Sequence, residues 1–339
     1  MEENKRITIY DIAREAEISP SMVSRVLSGK GSVSPKTKER IQAIIDKYDF
    51  KPNAIARGLQ KSSTRIIGFM IPHIENEYFS KVYYEFEKHA SENGYITILY
   101  NGKNDPATEH RILNMFEEFR VEAAILMGGN IDALNVNPGY AEAVATLNKK
   151  IPCILCSEQA EKFGCVGVHT DSRKIAALAV EHAVEKGYST MGILGGSNDR
   201  FPSVYLRDTF MEYAREKGIE IRPEWIHGNS YNPEDGMKAM RELLSQKERP
   251  RALFCLTDYV AVGAMSEAMD AGLRIPEDMA FIGNDNIQIG SIVRPHLTTI
   301  GKDFAELGTI LFQMMMDRLG NKEVKSCTTA PHLVEREST

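Results

Sequence analysis

The first 50 residues contain three short segments in which apolar residues recur at helical spacing. Each segment follows a helix-capping signal, and the three signals are Thr8 with Asp11, Ser19 with Pro20, and Ser34 with Pro35. The apolar positions behind these caps are Ile12, Ala13 and Ala16, then Val23, Val26 and Leu27, then Ile41, Ile44, Ile45 and Tyr48. Only Glu17 and Ile18 separate the first helix from the second cap. This spacing predicts a small all-α helix-turn-helix unit.

After residue 65 the pattern changes to short apolar runs that alternate with amphipathic stretches of helical length. The predicted strands are Ile66 to Ile71, Ile96 to Tyr100, Ala123 to Met127, Cys153 to Cys156, Met191 to Leu194, Ala252 to Leu256 and Met279 to Ile282. This alternation is typical of doubly wound α/β folds, and its length suits two lobes, each with a parallel sheet. Because ligands bind beyond the carboxyl ends of parallel strands, we expect a site in the loops that follow these strands.

These patterns predict three parts of the chain. Residues 1–50 form the helix-turn-helix head, residues 51–65 a hinge helix and linker, and residues 66–339 an α/β domain. In that domain we assign residues 66–162 and 294–324 to the first lobe, and residues 163–293 and 325–339 to the second lobe. A chain of 339 residues exceeds what one hydrophobic core usually supports.

The overall formal charge of −6 conceals an asymmetry between the head and the rest of the chain. Residues 1–65 contain 13 Lys and Arg against 8 Asp and Glu, a formal charge of +5, and the remainder carries −11. A basic head on an acidic body predicts a polyanionic partner for the head alone.

Several features indicate a reduced, cytoplasmic protein. No apolar stretch approaches the roughly 18 residues that a membrane span needs, and the N-terminal residues do not resemble a signal peptide. The five cysteines are an odd number scattered along the chain, which favours free thiols. We therefore expect a cytoplasmic location.

The second predicted helix carries a polar face opposite its apolar stripe, formed by Ser21, Ser24, Arg25 and Ser28. Small side chains let a helix approach the floor of a DNA groove closely, and an arginine can donate two hydrogen bonds to a guanine. This face is therefore the candidate base-reading surface. The alternative is an ordinary solvated helix face.

Three head motifs resemble those of the lac repressor (LacI/GalR) family of bacterial regulators. They are Thr8-Ile9-Tyr10-Asp11-Ile12-Ala13, Ile18-Ser19-Pro20-Ser21-Met22-Val23-Ser24-Arg25-Val26-Leu27, and Pro52-Asn53-Ala54-Ile55-Ala56-Arg57-Gly58-Leu59. The likeness continues through the α/β part at Ile67-Gly68, Ile71-Pro72, Glu224-Trp225, Thr257-Asp258, Gly283-Asn284-Asp285-Asn286 and Leu297-Thr298-Thr299-Ile300. It implies a sensor domain that resembles type I periplasmic binding proteins.

The resemblance also implies roles for individual head residues toward double-stranded, pseudo-palindromic operator DNA. The implied DNA-binding residues are Thr8, Tyr10, Ser19, Pro20, Ser21, Met22, Ser24, Arg25, Ser34, Asn53, Ala56 and Leu59. Among them Arg25 reads a base, and Pro20, Ser21 and Met22 begin the recognition helix. Thr8, Tyr10, Ser19, Ser34 and Asn53 contact phosphates. The family usually has threonine where Met22 stands.

Residues 52–60 are too few to form a stable isolated helix in water, because nucleation is costly below about 12 residues. We expect them to order on DNA. The resemblance implies that paired hinge helices insert a leucine into the minor groove, and Leu59 is the matching residue.

Candidate effector-binding residues come from the loops at strand ends and from the resemblance. They are Tyr78, Phe79, Met127, Ser157, Arg207, Tyr231, Asp258 and Asp285. Two positions depart from the family: its frequent pocket aspartate is Ser157 here, and its pocket arginine falls at Leu206, next to Arg207. Aromatic walls with carboxylates favour a sugar or sugar derivative as effector, and a purine or nucleoside is the alternative.

Other classes of function fit the sequence less well. No nucleophile, base and orienting group stand out together, so we do not predict an enzyme. The histidines lack zinc-site spacing, and Cys153 and Cys156 fall on a predicted buried strand, so we predict neither a metal nor another cofactor. A sugar transport receptor would share the sensor fold but would not need the head. A single recognition helix makes few base contacts, and we therefore expect a homodimer.

Overall fold

The computed structural model describes residues 7–28, 33–50 and 63–339. The chain divides into two compact units, Met1–Arg65 and Ile66–Thr339. Among the described residues no helix is both long and apolar enough to cross a membrane.

Among its described residues, the first unit has three helices around a small apolar core. They are α1 (Ile9–Glu15), α2 (Pro20–Ser28) and α3 (Pro35–Lys47). The predicted capping box is present, because the Thr8 backbone donates to the Asp11 carboxylate while the Thr8 hydroxyl accepts from the Asp11 N–H. The core consists of Ile12, Ala13, Ala16, Val23, Ile41 and Ile44. The helix-turn-helix prediction is confirmed.

The second unit contains two six-stranded sheets with helices on both faces of each. The strands are β1 (Ile66–Ile71), β2 (Ile96–Asn101), β3 (Ala123–Met127), β4 (Cys153–Cys156), β5 (Val166–Thr170), β6 (Met191–Leu194), β7 (Ile226–His227), β8 (Ala252–Cys255), β9 (Ala280–Asp285), β10 (Thr298–Gly301), β11 (Cys327–Thr329) and β12 (His332–Val334). The first sheet has the order β11-β5-β4-β3-β1-β2 and the second the order β12-β10-β9-β8-β6-β7. We name the lobe that holds each sheet the first and second lobe.

Eight helices cover these sheets. They are α4 (Glu77–Glu92), α5 (Pro106–Glu118), α6 (Pro138–Lys150), α7 (Ser172–Glu185), α8 (Phe201–Glu216), α9 (Pro233–Leu244), α10 (Asp258–Asp270) and α11 (Phe304–Leu319). In the first lobe, α5 and α6 pack on one face of the sheet and α4 with α11 on the other. In the second lobe, α7 with α8 and α9 with α10 do the same. The predicted pair of doubly wound lobes is confirmed.

The points where the chain crosses between the lobes differ from the predicted boundaries. Strand β5 pairs with β4 in the first sheet, although we assigned residues 163–293 to the second lobe. Strand β10 pairs with β9 in the second sheet, although we assigned residues 294–324 to the first lobe. Strand β11 pairs with β5 in the first sheet, although we assigned residues 325–339 to the second lobe. All three predicted boundaries therefore lie several residues too early. The physical reason is that each strand completes its sheet before the chain crosses.

The sheets are almost entirely parallel, which gathers their carboxyl ends at one edge of each lobe. Only the edge strand β12 runs antiparallel, to β10. Helices α9 and α10 approach each other closely, because a Cβ atom at Gly236 would clash with the Val260 carbonyl and one at Gly263 with the Pro233 carbonyl. The N-termini of these two helices consequently lie side by side at the strand-end edge of the second lobe.

Candidate functional site

Helix α2 presents a polar face away from the core of the head. Val23 is fully buried, whereas Ser21 and Arg25 are exposed and Ser24 is partly exposed. The hydroxyls of Ser19 and Ser21 lie 2.8 Å apart at the start of the helix. The apolar stripe therefore anchors the helix and turns small side chains and one arginine outward, as a base-reading helix requires.

Three of the predicted phosphate-contacting residues, Thr8, Tyr10 and Ser34, lie at the starts of α1 and α3. Tyr10 is 66% exposed. The Thr8 hydroxyl donates to the Asp11 carboxylate at 2.6 Å, and the Ser34 hydroxyl accepts from the Thr37 N–H at 3.2 Å. Thr8 and Ser34 thus also cap their helices. Pro20 begins α2, and Met22 is half-buried beside it. The predicted DNA-binding residues Asn53, Ala56 and Leu59 lie outside the described residues.

The second unit contains a cavity of about 720 Å³ between its lobes. The loops that follow strands line it from both sides, as the strand ends predict. The first lobe contributes Pro72, Tyr78, Phe79, Asp132, Ser157 and His169, and the second lobe contributes Arg200, Phe201, Tyr231, Tyr259, Asn284 and Asp285. Lys302, which follows β10 where the chain crosses between lobes, completes the wall.

Five of the eight predicted effector residues line this cavity, namely Tyr78, Phe79, Ser157, Tyr231 and Asp285. The other three do not. Met127 is 2% exposed and packs in the core of the first lobe. Arg207 donates to the Asn198 side chain at 2.7 Å, and the preceding residue, Leu206, lines the cavity instead. Successive helical residues point about 100° apart, which turns Arg207 out of the wall.

Asp258 also lies outside the cavity wall, and its surroundings are those of a structural carboxylate. It is fully buried, and it accepts hydrogen bonds from the Thr299 hydroxyl at 2.6 Å and the Ile287 N–H at 2.8 Å. Burial, together with the nearby Asp285 carboxylate, raises the pKa of Asp258 to about 7. Asp258, at the start of α10, therefore links this helix to β10 and to the loop after β9, behind the cavity wall.

Many polar residues of the cavity were not among the predicted ones, and four of them matter most for its chemistry: Asp132, Arg200, Asn284 and Lys302. Asn284 is 4% exposed, donates to the Leu256 carbonyl at 3.1 Å and leaves its buried side-chain oxygen without a partner in the structure. Arg200 stands in the strand-end loop that precedes α8. An Asp-Arg pair in a loop of small and polar residues was the signal that could have identified it.

The wall of the first lobe centres on Asp132. The Ser157 hydroxyl donates to the Asp132 carboxyl at 2.6 Å. Burial raises the pKa of Asp132 to about 7, although Ser157 and the Arg200 guanidinium act in the opposite direction. Behind this wall, the buried Glu109 carboxylate accepts from the Asn130 N–H at 3.0 Å, and burial raises its pKa as well.

The wall of the second lobe centres on Asp285. Lys302 Nζ lies 2.5 Å from Asp285 Oδ1, and burial raises the Asp285 pKa while Lys302 opposes the shift. The backbone φ of Asp285 is 135°, which residues with a Cβ rarely adopt. Tyr231 and Ser203 share a hydrogen bond of 2.7 Å, and burial raises the Tyr231 pKa to about 12.

Direct contacts join the two lobes across the cavity. Arg200 Nη1 donates to the Gly129 carbonyl at 2.8 Å, and the Leu134 N–H donates to the Asp199 carbonyl at 2.8 Å. Elsewhere the Gln288 N–H donates to the Glu77 carboxylate at 2.9 Å. Groups from both lobes therefore hold the cleft together, and an occupant would touch both lobes.

Over the ranges that the structure describes, no group of three or more His, Cys, Asp or Glu side chains is placed to hold a metal ion. Cys153 lies buried on β4, and burial raises the pKa of Cys156 on the same strand above its usual range.

Both units match known families. Residues 8–53 match the bacterial regulatory proteins of the lacI family, and residues 180–339 match the periplasmic binding protein-like domain. A helix-turn-helix head together with such a two-lobed domain defines a class of bacterial transcription regulators.

Relatives match along almost the whole chain. The HTH-type transcriptional repressor PurR of Klebsiella pneumoniae (strain 342) is 31% identical over 337 residues, covering 98% of this chain and 96% of the relative. Catabolite control protein A of Priestia megaterium is 30% identical over 338 residues, covering 98% and 99%. The crystal structure of the lac repressor dimer bound to operator and the anti-inducer ONPF matches with a TM-score of 0.85 at 21% identity, covering 98% and 99%. The protein belongs to the lacI family of transcription regulators.

The raised pKa of Asp132 predicts a pH-dependent cost in stability. Its folded pKa of about 7 exceeds the ordinary value of 3.8, so the folded state holds the proton longer than the unfolded state. The cost is therefore absent below about pH 4, grows toward pH 7 and then levels off. We expect Asp132→Asn to be more stable than the wild type by up to about 4 kcal/mol near pH 8 and nearly equal to it near pH 4.

Urea unfolding of both proteins across this pH range measures the difference. Asn keeps the shape and can still accept from Ser157, so the comparison isolates the charge. A difference in stability that does not change with pH would contradict the assignment of a raised pKa to Asp132.

Proposed function

We propose that the protein is a cytoplasmic repressor that binds operator DNA through α2 and releases or tightens it when a sugar or sugar derivative occupies the cleft. The observation that carries this proposal is the meeting, in one cavity, of buried polar groups from both lobes: Asp132 with Ser157, and Asp285 with Lys302. A ligand that contacts both pairs favours one relative arrangement of the lobes, which is how an effector shifts a two-state equilibrium.

The composition of the wall supports a polyhydroxylated effector. Carboxylates accept hydrogen bonds from hydroxyl groups, and the rings of Tyr78, Phe79 and Phe201 provide apolar faces for the C–H surface of a sugar. The cavity volume of about 720 Å³ lies within the usual range of small-molecule sites, roughly 300–1,000 Å³. The ring of Phe201 also stacks on Tyr205 at an interplanar angle of 12°, and this planar surface favours a purine or nucleoside as the second candidate.

A thermal-shift screen separates these two candidates. A compound that binds only the folded protein raises its melting temperature. We expect a neutral sugar to produce the largest rise, whereas a larger rise with adenine, guanine or their nucleosides would favour the alternative.

Recognition of a specific site through one short helix requires a second copy. We propose a homodimer, in which two recognition helices read two half-sites. The matching lac repressor is described as a dimer bound to operator, which supports this proposal. On the first lobe, Tyr84 is 62% exposed and Ile96 is 57% exposed, and such apolar side chains suit an interface.

Sedimentation of the purified full chain at micromolar concentration tests the assembly. We expect a species of about twice 38.0 kDa. Sedimentation as the 38.0 kDa chain alone would rule out a stable dimer under these conditions.

Arg25 should contribute to sequence recognition rather than to general affinity. We expect Arg25→Ala to weaken binding to the preferred duplex by about 1–3 kcal/mol and to affect unrelated duplexes much less, because base contacts are lost. Preferred duplexes are first selected from a random library with the wild-type protein. The preferred and the unrelated duplexes are then titrated with the wild type and the variant at fixed salt.

Arg14→Ala is the matched control, because Arg14 lies on α1, is 80% exposed at its side chain and carries the same charge. The control should leave the ratio of specific to unrelated binding unchanged. If Arg25→Ala lowered both affinities equally, Arg25 would be a phosphate contact.

Asp285 should be required for the response to the effector. We expect Asp285→Ala to bind the selected duplex normally and to lose the thermal shift with the compound that the screen identifies, since unpaired buried donors cost about 1–3 kcal/mol. Calorimetry with that compound and both proteins provides the measurement. Undiminished affinity of the variant would remove Asp285 from the site.

A further inference from the structure

Lys302 and Asp285 form an ion pair inside the cavity wall. The two charged atoms, Nζ and Oδ1, lie 2.5 Å apart, and the side chains are 12% and 7% exposed. Lys302 Nζ also lies 4.4 Å from the centre of the Tyr78 ring, which comes from the first lobe. An ammonium group has three N–H donors, so this pair leaves Lys302 with donors for a third partner.

The pair occupies a position where the backbone itself is constrained. Asp285 ends β9 with a φ of 135°, and Asn286 follows with a φ of 58°. Residues with a Cβ rarely adopt such values, and they concentrate at functional sites. Lys302 follows β10, the strand that pairs with β9. The sheet therefore fixes both charges from adjacent strands.

Every basic side chain in the cavity wall has an acidic neighbour. Arg200 Nε lies 3.5 Å from Asp199, His73 lies 3.3 Å from Glu75, and Lys302 pairs with Asp285. His169 interacts with the nearby Asp171. The wall also carries the acidic side chains of Asp132 and Glu158. An anionic effector would have to displace one of these acids or add a negative charge to an already acidic cavity.

We propose that Lys302 is a specificity-determining residue of the cleft. Paired with Asp285, it forms a donor–acceptor unit without net charge. This unit binds adjacent hydroxyl groups of a neutral sugar and disfavours sugar acids and sugar phosphates. The carboxylate accepts from one hydroxyl and the ammonium donates to the neighbouring oxygen. This inference rests on the proposed effector function, because it concerns the same cavity.

The charge on Lys302 has a second consequence, for the state of Asp285. The other titratable groups near Asp285 are Tyr78 of α4 and Asp258 and Tyr259 of α10, and none of them is a cation. Arg336 donates to the neighbouring Asn286 at 2.7 Å. Lys302 is therefore the cation in direct contact with Asp285, and without it the buried carboxyl would retain its proton at higher pH.

Matched pairs of ligands test the specificity. The wild-type protein is heated with glucose and glucuronate, galactose and galacturonate, ribose and ribose 5-phosphate, and maltose and maltobionate. We expect the neutral member of at least one pair to raise the melting temperature more than its charged counterpart. A larger rise with a charged member would overturn the proposal. If no sugar of either kind raised the melting temperature, the sugar-effector function itself would fail.

Variants at position 302 test the residue. With the neutral sugar that gives the largest rise, we expect Lys302→Met to bind at least about ten-fold more weakly at pH 7 and to recover partly at pH 9, because a higher pH favours the charged form of Asp285. Lys302→Arg should stay within about three-fold of the wild type because it keeps the charge. Affinity of Lys302→Met equal to that of the wild type at both pH values would overturn the proposal.

Lys322→Met is the matched control, because Lys322 forms a lysine–aspartate pair of 2.8 Å with Asp317 outside the cavity. This variant should bind as the wild type does. An equal loss of affinity in the control and in Lys302→Met would show a general effect of lost charge and would also contradict the assignment.

A measurement without any ligand tests the pairing independently of the effector. In urea unfolding, Lys302→Met should lose stability relative to the wild type as the pH rises from about 5 to 8, because its buried Asp285 must release a proton that the unfolded state has already lost. The double variant Asp285→Asn with Lys302→Met should not show this slope. Parallel pH profiles for Lys302→Met and the wild type would overturn the role of Lys302, even where sugar binding is found.

Discussion

The three passages of the chain between the lobes constrain everything else in the sensor domain. The chain crosses after β5, after β10 and between β11 and β12. Two of these passages are tied together, because the Asp171 N–H donates to the Thr329 carbonyl and the hydroxyls of Thr170 and Thr329 lie 3.1 Å apart. Relative motion of the lobes is therefore limited to small changes of backbone conformation in a few residues, which is the geometry of a hinge.

This constraint explains why the cavity has its chemistry where it does. Parallel strands bring their carboxyl ends to one edge of each sheet, and the tied crossings keep the two edges opposite each other. Asp132 and Asp285 are thus presented from different lobes to one cavity, and Lys302 lies on a crossing itself. A change in the pairing of Lys302 consequently acts at the point about which the lobes move.

The sequence predicts the strands that consist of strongly apolar runs. It does not predict the strands that are recognisable only from their pairing with neighbouring strands. The seven predicted strands correspond to β1, β2, β3, β4, β6, β8 and β9, all of which except β2 are fully or largely buried. Strands β7, β11 and β12 have two or three residues each and lie at sheet edges, where few residues must be apolar. Strands β5 and β10 contain threonines, histidine and glycine, so their membership follows from tertiary pairing.

The residues of the candidate site likewise divide into those that the sequence pattern predicts and those that it does not. Tyr78, Phe79 and Asp285 follow strands with clear patterns, and their place in the cavity could be predicted. Arg200 enters through a loop whose length decides which residue points inward, and Asp132 follows two glycines with positive φ, Gly128 and Gly129. Neither the length of a loop nor the conformation of two glycines produces a periodic pattern in the sequence. The predicted Arg207 shows the sensitivity of such assignments, since a shift of one helical residue moves a side chain from the cavity to its rim.

The cleft contains groups whose burial costs free energy, and a bound molecule can change that cost. Asp132 and Asp285 are carboxyl groups whose charged forms burial disfavours, Asn284 has a buried oxygen without a partner in the structure, and Asp285 has an unfavourable backbone conformation. A ligand donor that reaches these oxygens relieves part of the cost only while the lobes hold their present distance. Since a ligand shifts an equilibrium by no more than its difference in affinity for the two states, these buried groups are where that difference arises. The same groups that lower the stability of the domain thereby provide its capacity to respond.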